Sequence, residues 1–391
     1  MISFDEAWAL VAGQAQPLGT EQVALEAAHG RILAEPVVAN VDWPPQDASA
    51  MDGYAVRDGD RSPLRLIRTS YPGEAFDSPI GAGECVRIFT GAAVPQGADR
   101  VIMQEHATHE GAAVSVLVGE SDARHIRRRG SDFLAGDMLL AAGRRLDARA
   151  MVAAAGADQA AVWLWRKPRV SILGTGDELV EPGMARSRPG TIPNSLSFGV
   201  AGLVREWGGE VVARELVPDE RRLIRLAAAA AMERADLVIV TGGASVGERD
   251  YSKSVFADLD LDLLFAKIAM KPGKPVWFGR TGTALVLGLP GNPTSAMVTA
   301  RLLLAPLLAG LGGDDPARAA QWRSAVLQGS LGACRDRETF HRACFAADTV
   351  LALANQDSGS QKYLAEANSL IRQSRESPAM KAGDMVDIID F

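Results

Sequence analysis

The sequence predicts a multidomain α/β and β protein built around a central α/β domain with a mainly parallel sheet. Three observations carry that expectation. Between Arg169 and Gly312, strand-like runs alternate with helical runs, the pattern of a parallel sheet covered on both faces. Between residues 41 and 130, short alternating runs are punctuated by Gly and Pro, the texture of a small β-rich domain. Beyond "GGDDP", near residue 313, alternation returns in "ETFHRACF", "TVLALAN" and "DMVDIIDF", so the tail reads as a second small β domain.

The elements follow in order. Phe4 to Val11 is a short helix, and residues 1–40 with 131–168 read as a helical N-terminal part. "LRLIR", "CVRIFTGAAVP" and "RVIMQEHATHEGAAVSVLV" supply strands of the 41–130 domain, which looks inserted into that helical part. "LDARAMVAAAGA", Leu146 to Ala157, is a helix with Asp147 at its start. In the 169–312 domain "RVSIL", "VVARELV", "DLVIV" and "ALVLGL" are strands. "SLSFGVAGLVREW", "ERRLIRLAAAAAMERA", "YSKSVFADL" and "PTSAMVTARLLLAPLLAGL" are the helices between and after them. Residues 313–391 form the last domain.

Composition narrows the function classes. The chain has 391 residues, enough for two to four domains, and is 47% hydrophobic, enough for real cores. Its formal net charge is −7, so wholesale nucleic-acid binding is not expected and an anion site must be a local patch. The three cysteines form no C-x-x-C pair, which argues against a disulfide framework or structural zinc. The N-terminus carries acids and no long apolar run, and no stretch reads as a membrane span. A cytoplasmic protein with no membrane partner is expected.

The chemistry-bearing residues cluster at strand ends, where open parallel sheets bind ligands. The first strand runs into "GTGDEL", Gly174 to Leu179, and the second into "PDE" with Asp219. The third runs into "TGGASVGERDY", Thr241 to Tyr251. There Gly242 and Gly243 free the backbone N–H groups, and Ser245 adds a hydroxyl, a combination suited to an oxyanion. Asp250 either caps the next helix or, with Asp219, holds a cation that bridges to phosphate; Mg²⁺ is the natural choice. "KIAMKPGKP" carries Lys267, Lys271 and Lys274, which suit a small multivalent anion unless they are merely a solvated charge group. "GLPGNPTS" ends the last strand and includes Ser295. No G-x-x-x-x-G-K-[ST] is present, and "GTGDEL" lacks the third glycine of a dinucleotide fingerprint. In the inserted domain Asp52 lies in a Met-Asp-Gly-Tyr turn, Thr90 follows a strand, and Asp132 follows three arginines that read as a solvated face or a clamp. His106 and His109 read as surface residues.

The sequence resembles the molybdopterin molybdenumtransferases, relatives of the C-terminal half of gephyrin. The motifs "SAMDGYAV", "IFTGAAVPQGAD", "GTGDELVEPG", "TGGASVGERD", "MKPGKP", "GLPGNPTS" and "AEANSL" carry the resemblance, in order, over essentially the whole chain. It implies four domains, the last a β barrel, and a homodimer with sites between subunits. It implies insertion of molybdenum from molybdate into adenylylated molybdopterin, releasing AMP and molybdenum cofactor. Molybdopterin adenylyltransferase and molybdenum-enzyme apoproteins are the other partners it suggests. By the same resemblance Gly174, Thr175, Gly176, Asn194, Gly242, Gly243 and Ser245 serve nucleotide and pterin. Lys271, Lys274, Ser295, Arg342 and Ser360 serve molybdate, and Asp219 and Asp250 serve Mg²⁺. Asp52, Thr90, Asp132, Glu178, Lys267 and Lys271 correspond to further positions needed for activity. Gln361, Lys362 and Tyr363 depart from the family's tail pattern. Persistence of the carboxylates and lysines favours an enzyme over a scaffold that has lost its chemistry. The adenylyltransferases resemble 169–312 alone.

Overall fold

A computed structural model describes the chain apart from residues 75–77, 118–122, 243–250 and 283. Two compact units emerge. The first contains residues 1–21, 30–34 and 163–391, and the second contains 22–29 and 35–162.

In the first unit the strands Arg169–Thr175, Glu210–Val217, Leu237–Thr241 and Leu285–Leu289 run parallel. The sheet order sets Glu210–Val217 at one edge, followed by Arg169–Thr175, Leu237–Thr241 and Leu285–Leu289. Two antiparallel strands extend it, Trp277–Arg280 and then Asp262–Phe265. The sequence reading assigned neither. Helices cover both faces, which explains why "LVIVT" is buried at every position. One core gathers Val170, Ile172, Ile239 and Leu287 with Val200, Val204 and Leu303. Phe4, Ala7 and Val11 of the helix Phe4–Gln14 join it, and Ser3 and Glu6 close a capping box at that helix's start. The other face packs Leu173, Val238 and Val240 against Ile224, Ala228 and Phe256.

The helical run Pro293–Leu311 corrects the expectation that no stretch reaches the length and apolarity of a membrane span. It is 19 residues long with a mean hydropathy of 1.5, yet 94% of its most apolar 18-residue window is buried. Its middle, Ala300–Leu304, is a π-helix, and the buried Arg301 there donates to the carbonyls of Ala319 and Asp390.

The C-terminal strands close on themselves. Glu338–Ala346, Thr349–Ala352, Arg323–Leu327, Met385–Asp390 and Ser369–Gln373 are neighbours in that order. Ser369–Gln373 then pairs back with Glu338–Ala346, closing the β barrel that the resemblance implied, with five strands. The short strand Met270–Lys271 adds to its side. This pairing ties the lysine loop to the barrel.

In the second unit a six-stranded sheet holds Gly53–Val56, Leu64–Ser70, Glu84–Ile88, Arg100–Met103, Ala107–Glu110 and Ala113–Val116. The helix Ala148–Gly156 begins at Asp147, whose carboxylate accepts from the Ala150 N–H at 2.8 Å.

Candidate active site

Register brings the strand ends to one level. Thr175 lies opposite Val217, Gly174 opposite Thr241, and Thr241 opposite Leu289. The loops that leave these ends enclose a cleft of about 770 Å³, within the usual range for a small-molecule site. Its lining includes Thr175, Gly176, Glu178, Asn194, Asp219 and Gly242. Gly174 sits one layer below, packed between Thr241 and Asn194.

Two features shape this wall. Gly242 has φ of +96°, and a Cβ there would strike the Thr175 carbonyl oxygen. Thr175 Oγ1 and Asn194 Nδ2 are buried and have no hydrogen-bond partner among the described residues. Buried groups of this kind are normally satisfied, and both belong to residues that line the cleft. Asp219 stands on the rim with its N–H donated to the Asp177 carboxylate at 3.0 Å. Gly243, Ser245 and Asp250 lie outside the described residues. Among the described residues no cluster of three His, Cys, Asp or Glu side chains is assembled for a metal.

A second cavity of about 720 Å³ adjoins the first. Lys271, Lys274 and Ser295 line it together, so the topology unites three of the residues expected to serve an anion. Ser295 and Pro275 line both cavities. The loop between the lysines turns at Gly273, where φ is +106° and a Cβ would strike the Thr299 hydroxyl. The sequence reading missed Arg337 and His341, which also line this cavity. The only signal for them was their place in or beside a barrel strand. Burial, first, and the charge of Lys271 push the His341 imidazole below its ordinary pKa, while its bond to Gln373 acts the other way.

Arg342 and Ser360 are absent from the lining of both cavities. Arg342 is 1% exposed and lines neither cavity. Its guanidinium donates to the carbonyls of Asn355 at 3.1 Å, Asp357 at 3.0 Å and Ser360 at 3.4 Å. Thr339, Phe340 and His341 of the same strand line the cavity, whereas the Arg342 guanidinium is taken up by these carbonyls. Ser360 heads the helix Gln361–Glu366, and its Oγ accepts from Asn355 at 3.5 Å. Its neighbours Ser358, Gly359 and the unusual Gln361 are the ones lining the cavities. Lys267 is exposed and lines neither, and its carbonyl accepts from the Ile2 N–H at 3.2 Å.

Asp52, Thr90 and Asp132 belong to the second unit. One Asp52 oxygen accepts from both the N–H and the hydroxyl of Thr90. These bonds, the backbone one foremost, hold the Asp52 carboxyl below the usual range, aided by the charge of Arg87. Asp132 is exposed. Of the arginines before it, Arg128 pairs with Asp47 and Arg129 with Asp42 at the surface.

Comparisons with known proteins agree along the chain. Residues 2–157 match the MoeA N-terminal region (domain I and II), and residues 171–310 match a probable molybdopterin binding domain. The molybdopterin molybdenumtransferase of Haemophilus influenzae is 35% identical over all of this chain and 99% of that protein. Molybdopterin molybdenumtransferase 2 of Mycobacterium tuberculosis is 34% identical over 94% of each. The crystal structure of the molybdopterin biosynthesis MoeA protein of Pyrococcus horikoshii superposes with a TM-score of 0.84. That match has 27% identity and covers 99% of this chain and 98% of that one. With relatives matched from end to end and both family regions in place, the chain belongs to the molybdopterin molybdenumtransferase family.

Proposed function

We propose that the protein transfers molybdenum from molybdate to adenylylated molybdopterin, releasing AMP and molybdenum cofactor. One observation carries this reading: a cleft large enough for a pterin nucleotide adjoins a cavity lined by cations, and Ser295 and Pro275 border both. A reaction joining an organic ligand to a compact dianion needs that arrangement, because proximity supplies much of the rate. Thr175 and Asn194 line the cleft that would take the nucleotide. Lys271 and Lys274 neutralise molybdate, whose oxygens accept hydrogen bonds and donate none. Glu178 and Asp219 border the cleft as carboxylates and would repel a bare phosphate. A divalent cation resolves that conflict, and oxygen donors suit Mg²⁺. When bound, Mg²⁺ would offset charge on the phosphate, with Asp219 and Asp250 as its protein ligands. The protein acts as a cytoplasmic homodimer in this reading, receiving its substrate from molybdopterin adenylyltransferase.

The test is to incubate the purified protein with adenylylated molybdopterin and Mg²⁺, with and without molybdate, and to measure AMP. Molybdate-dependent AMP release is expected, and Asp250→Asn raises the Mg²⁺ it requires. Absence of AMP under all conditions would mean that the fold is kept without the chemistry. Light scattering should report a dimer.

A further inference from the structure

The cation-lined cavity contains a group whose hydrogen-bonding state is set by its surroundings. His341 Nε2 lies 2.8 Å from Gln373 Oε1. The Gln373 amide is itself oriented, because its Nε2 donates to the Gly332 carbonyl at 2.9 Å. Oε1 must therefore accept, and His341 Nε2 must carry the hydrogen. Nδ1 has no partner among the described residues and is left for an occupant of the cavity. In the neutral ring Nδ1 is an acceptor. An acceptor facing molybdate, which is also acceptor-only, is a repulsive pairing. Protonation converts Nδ1 into a charged donor and removes the conflict.

We propose that His341 contacts the oxyanion as the imidazolium, so that molybdate binding draws one proton from solvent onto Nδ1. The proposal rests on the reading of this cavity as the molybdate site. The charged groups around the ring fit it. Lys271, Lys274 and Arg337 also line the cavity, and burial with the charge of Lys271 disfavours the charged ring while the cavity holds no anion. The lining carboxylate, Asp357, has its Oδ1 engaged by the Gly359 N–H at 2.8 Å. Glu338, on the same strand, is paired with Arg372. A bound dianion reverses the balance and supplies the counter-charge that the imidazolium needs. His341 thereby selects for fully deprotonated tetrahedral oxyanions and links their affinity to pH.

Calorimetric titration of molybdate into the full chain tests this in two buffers of different ionisation enthalpy near neutral pH. The expected result is uptake of close to one proton per molybdate, with affinity falling about tenfold per pH unit while that linkage lasts. His341→Gln should abolish the uptake and flatten the pH dependence, with weaker binding at about pH 6.5. His341→Lys, which brings its own proton, should recover tight binding at higher pH. Thermal melting of both variants reports that the barrel is intact. Wild-type binding without proton uptake, or undiminished uptake in His341→Gln, overturns the proposal alone. Failure of molybdate to bind at any pH overturns the assignment of the cavity and the proposal with it.

Discussion

The carboxylate of Asp52 accepts from the amide of Thr90 at 2.7 Å and from its hydroxyl at 2.8 Å, both at the same oxygen. The two residues are 38 apart in sequence, and the pair joins the chain entering the strand Gly53–Val56 to the chain leaving its neighbour Glu84–Ile88. Both bonds favour the ionised acid, so Asp52 is held below its usual range. The stabilisation is present above the unfolded carboxyl value of about 3.9 and is lost as pH falls through the lower folded value. Thr90→Val keeps the amide bond and removes the hydroxyl. The Asp52 pKa should rise towards the ordinary value in a carboxyl NMR titration. An unchanged titration would show that the hydroxyl contributes nothing.

Gly242→Ala should destabilise the cleft floor. The backbone there has φ of +96°, and the added methyl collides with the Thr175 carbonyl. The expected cost is about 1–3 kcal/mol, read from denaturant unfolding, with weaker nucleotide binding. Wild-type stability in this variant would mean that the turn relaxes freely.

Lys274→Ala removes one charge-assisted donor from the second cavity. Such bonds are worth about 1.5–3 kcal/mol, so molybdate affinity should fall roughly 10- to 100-fold. Nucleotide affinity should hold, because Thr175, Asn194 and Gly242 lie on other loops. Separate titrations of the two ligands decide the matter. Loss of nucleotide binding with molybdate affinity intact would reassign the lysine to the phosphate.

Arg342→Met tests a scaffold role against a direct one. The change leaves the carbonyls of Asn355, Asp357 and Ser360 without their donor. A stability loss on the order of 3 kcal/mol is expected, with faster hydrogen exchange in residues 353–360. Unaltered stability with molybdate binding abolished would instead support the oxyanion contact implied by the family resemblance.

Local pattern determined much of this protein. The strand–helix alternation from Arg169 to Leu311 announced the parallel sheet, because burial of a strand on both faces is written as a continuous apolar run. The glycines and lysines at strand ends announced the rim, because open parallel sheets present ligands there. Tertiary structure decided the remainder. Trp277–Arg280 and Asp262–Phe265 are short strands whose antiparallel pairing depends on partners, so no local signal marked them. The return pairing of Ser369–Gln373 with Glu338–Ala346 closes the barrel, and such register is set between strands rather than within them. That closure chooses which face each side chain takes. It buries Arg342 among carbonyls and sets its neighbour His341 beside the lysines, a division that two adjacent letters in a sequence cannot express.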